Sequence, residues 1–330
     1  MKISFIIPVY NRPEETGELL QSLSLQTRRD FEVIIVEDGS TESSEPVVEK
    51  YRELLDISYF YKENSGPGPS RNFGCEKASG AYVIFLDSDC IVPKHYVRVV
   101  SETLEWHFTD AFGGPDRAHK DFTNFQKAVS YSMTSILTTG GIRGGNERMG
   151  KFHPRSFNMG FSKEVFKATG GFSTMRFGED VDLSIRILDK GFTTQLVRDA
   201  FVYHKRRTNL RQFFKQVFNS GIARINLMLR HSGTLKLVHI APALFTLGFL
   251  LLLLLSLLVS WYFTIPLLLH MLLLFLDAAF KTSNLIIGLL AVITSYTQLF
   301  AYGTGFLIAF WRRMVLRRDE FSAFSKNFYK

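Results

Sequence analysis

Short apolar runs alternate with segments of helical periodicity along the first part of the chain. Ile3–Val9, Phe31–Val36, Ile57–Tyr61 and Tyr82–Leu86 read as strands, being short and rich in β-branched and aromatic residues. Pro13–Leu25, Glu45–Leu54 and Ser70–Ala78 read as helices between them. That rhythm predicts parallel strands joined by crossover helices, an α/β fold. In such sheets ligands collect beyond the carboxyl ends of the strands. Tyr10–Asn11, Glu37–Ser40 and Asp87–Asp89 all fall there.

After Asn209 the period changes. Phe213, Phe214, Val217, Phe218, Ile222, Ile225 and Leu229 share one helical face, and Arg211, Lys215 and Arg224 add positive charge. Such a helix lies on a membrane surface or packs on the protein. Three apolar segments follow, Ile240–Ser260, Tyr262–Phe280 and Leu285–Trp311. Each approaches or exceeds the roughly 20 residues that cross a bilayer as a helix. Pro266, His270 and Asp277 make the second a candidate for a kinked or re-entrant segment. An odd number of crossings puts Arg312, Arg313, Arg317 and Arg318 on the far side, against the positive-inside bias, so the orientation of the tail stays open.

Charge sharpens this division. The chain has 330 residues and a net charge of +8, yet no Asp or Glu occurs from Ala200 to Leu276. Lys205, Arg206, Arg207, Arg211, Lys215, Arg224, Arg230 and Lys236 fall in that stretch. A basic belt before apolar spans reads as a contact with anionic membrane lipids on the cytoplasmic side, and no nucleic-acid recognition motif accompanies it. Two cysteines, Cys75 and Cys90, imply no disulfide framework and fit a reducing compartment. Lys2–Pro8 is too short and too soon broken by proline for a signal peptide, and reads as a buried strand.

Five motifs stand in order along the first part of the chain: Ile7-Pro8-Val9-Tyr10-Asn11, Glu37-Asp38-Gly39-Ser40, Ser70-Arg71-Asn72-Phe73-Gly74, Asp87-Ser88-Asp89 and Gly178-Glu179-Asp180-Val181-Asp182. In order and spacing they resemble family 2 glycosyltransferases of the GT-A fold. The apolar tail is similar to that of membrane-attached bacterial members that build exopolysaccharide on a lipid carrier. The resemblance implies a GT-A, Rossmann-like mixed sheet with crossover helices, followed by a C-terminal helical transmembrane region. The expected divisions are a catalytic domain over 1–209, a basic amphipathic interfacial helix over 210–237, membrane helices over 238–311 and a basic tail over 312–330.

The chemistry of a nucleotide-sugar donor calls for base readers, a metal and acidic groups. The resemblance implies that Pro8, Tyr10 and Asn11 border the nucleotide and that Asp38 accepts from the base edge; turn chemistry after a strand is the other reading of Tyr10 and Asn11. Glu37 stands where the family more often has Asp. Gly68 belongs to a Gly-containing loop, Asn64–Pro69, that allows close backbone approach. Arg71 suits phosphate or base contacts as a planar multi-donor cation, with a structural salt bridge as the alternative. Because strand side chains alternate, Asp87 and Asp89 are expected to emerge on one side. Asp87, with Ser88 beside it, is expected at the ribose or at metal-bound water. Asp89 is expected to hold Mg²⁺ or Mn²⁺, completed by His204 at the end of Phe201–His204.

Glu179, Asp180 and Asp182 sit at a helix N-terminus, where carboxylates are favoured in any case. The functional reading makes Asp180 the general base, with Glu179 or Asp182 as substitutes. Asn158 is the candidate contact to sugar or acceptor, and Gly140–Gly145 a loop near the site. Processive members carry a Gln-x-x-Arg-Trp element; Arg211–Ala223 has none, which points to single-sugar addition.

The expectation is an inverting, metal-dependent transferase that moves one sugar from a UDP- or GDP-sugar to a lipid-linked glycan acceptor. It would be a multi-pass protein of the cytoplasmic (inner) membrane, with its catalytic domain in the cytoplasm. The rival enzyme reading transfers to a polyprenyl phosphate itself. A rival of another class is a membrane scaffold whose GT-A domain no longer turns over.

Overall fold

The computed structural model describes residues 1–119, 121–139, 152–205 and 208–324; the Gly140–Gly145 stretch and Arg206 and Arg207 lie outside them. In chain order the elements are β1 (Ile3–Val9), α1 (Pro13–Ser24), β2 (Phe31–Asp38), α2 (Glu45–Glu49), β3 (Ile57–Lys62), α3 (Pro67–Lys77), β4 (Tyr82–Leu86), β5 (Cys90–Ile91) and α4 (Tyr96–Trp106). Then come β6 (Ala111–Gly113), β7 (Asp116–Arg117), α5 (Asn124–Thr134), α6 (Ile136–Thr139), β8 (Asn158–Ser162), α7 (Lys163–Thr169) and α8 (Glu179–Asp189). β9 (Thr194–Leu196), β10 (Val202–His204), α9 (Leu210–Arg230), α10 (Leu237–Leu258), α11 (Ile265–Thr282) and α12 (Leu285–Phe310) complete the chain. Contacts divide it into two units, residues 1–119 with 147–205, and 120–146 with 206–330.

The first unit is built on a seven-stranded sheet in the order β3-β2-β1-β4-β8-β6-β9. β3, β2, β1 and β4 are parallel, while β8 runs antiparallel to both β4 and β6. Strand alternation sorts the core onto two faces. Ile3, Phe5, Ile7, Val33, Ile35, Ile84 and Leu86 join α1 and α4 on one face. Ile6, Ile34, Val36, Val83 and Phe85 meet residues of α3, α7 and α8 on the other. Each large side chain so buried contributes about 1.5–3 kcal/mol. A second sheet, β5-β10-β7, is small.

In the first unit, three elements differ by two residues or more from the pattern-based reading. β2 runs two residues further, because Glu37 and Asp38 still pair with Tyr61 and Lys62 of β3. α2 gives way after Glu49 to tight turns closed by bonds such as Tyr51 N–H to the Val48 carbonyl at 2.9 Å. α3 starts at Pro67 rather than Ser70. Proline is tolerated in a first turn, where its missing N–H has no intrahelical partner to serve.

In the second unit, α10, α12 and α11 with its preceding turn are long and apolar enough to cross a membrane. Pro266 falls in the first turn of α11, so it does not interrupt that helix. Asp277 accepts from the Tyr131 hydroxyl at 2.6 Å and from Lys281 at 2.8 Å. These bonds compensate a carboxylate placed in an apolar segment. The apolar face of α9 is taken up by protein: Ile222 and Ile225 pack with Phe306 and Ala309 of α12, and Phe213 and Val217 with Ala301.

α9 and α12 approach backbone to backbone. A Cβ on Gly221 would overlap the Tyr302 carbonyl, and one on Gly305 the Phe218 carbonyl. Small residues at such a crossing permit the close packing that holds helices together in lipid. Gly305→Leu is expected to destabilise the protein by about 1–3 kcal/mol, the usual cost of overpacking. A thermal unfolding midpoint in detergent equal to that of the unmodified protein would contradict this packing.

Candidate active site at the strand ends

The carboxyl ends of β1, β2 and β4 lie side by side because these strands are parallel neighbours. Just past β1, Asn11 takes a left-handed backbone (φ 52°). Its side-chain oxygen accepts from the Thr41 and Glu42 N–H groups at 2.8 and 3.1 Å, and its own N–H donates to Ser40 Oγ at 2.7 Å. Asn11 therefore stitches the loop after β1 to the loop after β2, as turn chemistry allows. Glu37 is fully buried and anchors that second loop, accepting from Ser40 Oγ, from Ser44 N–H at 2.8 Å and from the Tyr59 hydroxyl at 3.2 Å.

Asp38 faces the loop after β3. Its carboxylate accepts from Lys62 Nζ at 2.6 Å and from the Ser65 and Gly66 N–H groups at 2.9 and 2.8 Å. Gly66, at φ 94°, turns the chain directly into α3. That turn brings Arg71, on the next turn of α3, to the strand ends.

The Arg71 side chain is 4% exposed and joins three elements. Nη2 donates to Asp87 Oδ1 at 2.7 Å, Nη1 to Glu179 Oε1 at 3.0 Å, and the guanidinium lies 5.3 Å from the Phe172 ring centroid. Glu179 and Asp180 open α8, and both are buried. Burial first, then the Asp180 charge, pushes Glu179 up to about 7, against the pull of Arg71. Burial also opposes ionisation of Asp180. There the Arg155 guanidinium, the Val181 N–H and Arg71 prevail and hold it below its ordinary value. Arg155 Nε donates to one Asp180 oxygen at 2.7 Å and Val181 N–H to the other at 2.8 Å. Near neutral pH, then, Asp180 is ionised while its neighbour Glu179 is partway through its titration, an arrangement common where acid-base chemistry is done.

β4 stops at Leu86, and Asp87 opens a turn closed by Cys90 N–H to the Asp87 carbonyl at 3.0 Å. The turn, rather than strand alternation, orients the two aspartates: Asp87 faces Arg71, while Asp89 meets His204 and Arg12. His204 Nε2 lies 3.1 Å from Asp89 Oδ1, and β10 pairs with β5 so that His204 stands opposite Cys90. Asp89, Cys90 and His204 offer ligand atoms within 4.8 Å of one another, a group able to hold a metal ion. Carboxylate oxygen and imidazole nitrogen suit Mn²⁺ or a similar hard-to-borderline cation. The buried Cys90 thiol, turned to the Phe157 carbonyl at 3.6 Å, is a softer donor and less suited to it.

Other candidates are placed differently. Ser88 is buried within the turn, and Pro8 and Tyr10 are half-buried at the end of β1. Asn158 is fully buried, accepting from the Tyr96 hydroxyl at 2.5 Å and donating to the Ala200 carbonyl at 2.7 Å; it stands opposite Leu86, where β4 ends, and ties β8 to the core. Gly68 packs in the first turn of α3, where a Cβ would stand 3.2 Å from the Ser173 carbonyl. Asp182 accepts from Arg186 at 2.8 and 3.0 Å, and Arg186 in turn holds the Thr169 and Gly171 carbonyls. Sequence reasoning missed the cations paired to the acids: Arg12, Lys62 and Arg155. Their one local signal is position, next to the Tyr10-Asn11 motif, at a strand end, and heading the segment before β8.

The profile for "Glycosyl transferase family 2" matches residues 4–170. An uncharacterized glycosyltransferase of Haemophilus influenzae is 30% identical over 221 residues, covering 63% of this chain and 70% of that protein. Another, from Rickettsia bellii, is 47% identical over 88 residues, 27% of this chain but only 13% of that protein. The chain thus spans a small fraction of the length of some relatives it matches. In fold it is similar to the Pyrobaculum calidifontis mannosyltransferase PcManGT, solved with GDP-Man and Mn²⁺, with TM-score 0.63, 18% identity and coverage of 89% of this chain and 86% of that one. The mixed sheet is accordingly of GT-A type. Taken with the profile match over half its length, these relationships make the chain a glycosyltransferase of family 2.

Proposed function

We propose that the protein is an inverting, metal-dependent glycosyltransferase that moves one sugar from a nucleoside diphosphate sugar to a lipid-linked acceptor at the cytoplasmic face of a membrane. The observation that carries this reading is the ion-pair bridge from Asp87 through Arg71 to Glu179, with Asp180 next along α8. It joins the strand-end turn suited to a donor diphosphate to the helix start suited to activating an acceptor. PcManGT, of like fold, was solved with a sugar nucleotide and Mn²⁺. The three apolar helices and the acid-free basic stretch before them support a membrane setting, with the basic belt facing the cytoplasm.

Asp89 and His204 would hold the divalent cation, with Asp87 beside them in the turn. Bound there, the cation supplies charge neutralisation for the diphosphate. Asp38 borders the base, and the loops carrying Tyr10, Asn11 and Ser88 border the rest of the nucleotide. Asp180, ionised and steadied by Arg155, takes the proton of the acceptor hydroxyl as its oxygen bonds to the anomeric carbon. The bond from that carbon to the diphosphate breaks, and the pair leaves with the nucleoside diphosphate. One base and one displacement invert the anomeric centre. Glu179 keeps Arg71 in place, and Asp182 braces the approach to α8 through Arg186.

Asp180→Asn removes the base while preserving shape. Transfer is expected to fall by roughly 10²- to 10⁴-fold, with UDP- or GDP-sugar binding retained in titration calorimetry; full turnover would refute the role. A second expectation concerns pH. Glu179 titrates near 7, so below that pH it gains a proton and Arg71 loses one of its two anionic partners. Activity should therefore rise with pH through about 7. Glu179→Gln, fixed in the neutral form, should be slow at all pH values and lack that inflection, whereas a rate profile that keeps it would assign the titration to another group.

A further inference from the structure

Within the second unit, α12 has 26 residues, about 39 Å at 1.5 Å per residue, and is long and apolar enough to cross a bilayer. Its neighbours argue against a crossing. α5 covers its first half: Ala128 and Tyr131 pack with Ile287 and Ala291, and Thr294 Oγ donates to the Ala128 carbonyl at 3.1 Å. α9 covers its second half, from Phe213 and Val217 beside Ala301 to Ile222 and Ile225 beside Phe306 and Ala309. Half of the apolar stretch of α12 is buried, against 11% for α10 and 17% for α11 with its preceding turn.

α5 and α9 both begin level with the middle of α12, since Phe125, Phe213 and Ala301 share one apolar cluster. Those beginnings are polar. Thr123 and Gln126 close a capping box on α5, Asn209 caps α9 by accepting from the Gln212 N–H at 2.9 Å, and Arg211 follows. The middle of a crossing helix sits at the bilayer centre, where an arginine or an open helix end has no water to meet it. An α12 laid along the surface leaves both beginnings at the water side. Its outward positions agree: Leu285, Leu289, Ile293, Ile308 and Trp311 are exposed and fall on one helical face. The chain beyond α12 stays with α9. Arg230 pairs with Glu320 at 2.8 Å, Asn226 donates to the Phe321 carbonyl at 3.3 Å, and Asn219 exchanges bonds with Ala323 at 3.0 and 2.8 Å. The end of α9, just before α10, and the chain just after α12 therefore lie on the same side.

We propose that α12 does not cross the membrane but lies in one leaflet, its Leu285-to-Trp311 face against the acyl chains. The chain from α10 to the tail then makes an even number of crossings, with α10 and α11 the pair that enters deeply. Arg312, Arg313, Arg317 and Arg318 share the side of Arg211, Arg224 and Arg230, in keeping with the positive-inside bias. The inference uses the membrane setting of the proposed function and none of its chemistry. For the test, the full chain is reconstituted in vesicles of phosphatidylcholine and phosphatidylglycerol. Cys75 and Cys90 are buried, so Leu289→Cys, Ile293→Cys, Thr297→Cys, Thr304→Cys and Ile308→Cys each take one nitroxide label. Depth is read by power saturation with oxygen and a water-soluble nickel chelate. All five labels are expected at one shallow depth. A depth greatest at Thr297→Cys and falling by roughly 10–15 Å toward both ends, the rise of 8 to 11 helical residues, would overturn the proposal. In sealed inverted vesicles from a bacterial expression host, an impermeant maleimide is expected to label Ser232→Cys, Ser283→Cys and Asp319→Cys to the same extent. Labelling of Ser283→Cys or Asp319→Cys from the side opposite to Ser232→Cys would overturn the even count. A chain that fails to float with vesicles would remove the membrane setting itself.

Discussion

The guanidinium of Arg71 is the interaction on which the strand-end site depends. It is buried, and its two terminal nitrogens hold carboxylates from the turn after β4 and from the start of α8. Remove it and Asp87 and Glu179 face each other without their shared cation. Breaking a buried ion pair by deleting one partner costs about 3–5 kcal/mol. Arg71 reaches this position because β2 hands Asp38 to the Ser65 and Gly66 backbone, fixing the start of α3. Loop, helix and carboxylates are thus one mechanical unit; within it burial and the Asp180 charge raise Glu179 against the pull of Arg71, while Arg155, the Val181 N–H and Arg71 together hold Asp180 low against its burial.

Much of this was legible in one dimension. The four parallel strands announce themselves by β-branched residues on both faces, and β1 and β4 fall where the pattern puts them. The three long apolar helices are equally plain, since no other structure consumes such runs of leucine. What escaped is long-range pairing. Arg71 and Glu179 are 108 residues apart, and Arg12 and Asp89 77 apart, so nothing local marks the cations that hold the acids. Asn158 is held by Tyr96 and Ala200, and the side position of Gly68 meets Ser173, Phe172 and Glu179, distant neighbours that no local pattern announces. Asp87 and Asp89 show the same limit: alternation ends where the strand ends, and a turn follows.

The second unit obeys a different economy. Its helices expose leucine outward, as on Leu250, Leu251, Leu254 and Leu257, and pair some of their polar groups with one another. Asp277 is met by Tyr131 and Lys281, and His270 lies 3.2 Å from the Tyr296 hydroxyl. Glycines let α9 and α12 meet through their backbones. The start of α9 carries Arg211 and Lys215, and the chain returning past α12 is tied to the same helix through Asn219 and Ala323.

The most direct test is transfer by Arg71→Lys. Lysine keeps the positive charge but not the planar fork that bridges two carboxylates. The account predicts that a variant with an intact near-ultraviolet dichroism spectrum transfers sugar at a small fraction of the native rate. Native-level transfer by that folded variant would contradict the bridge as the organising element of the site.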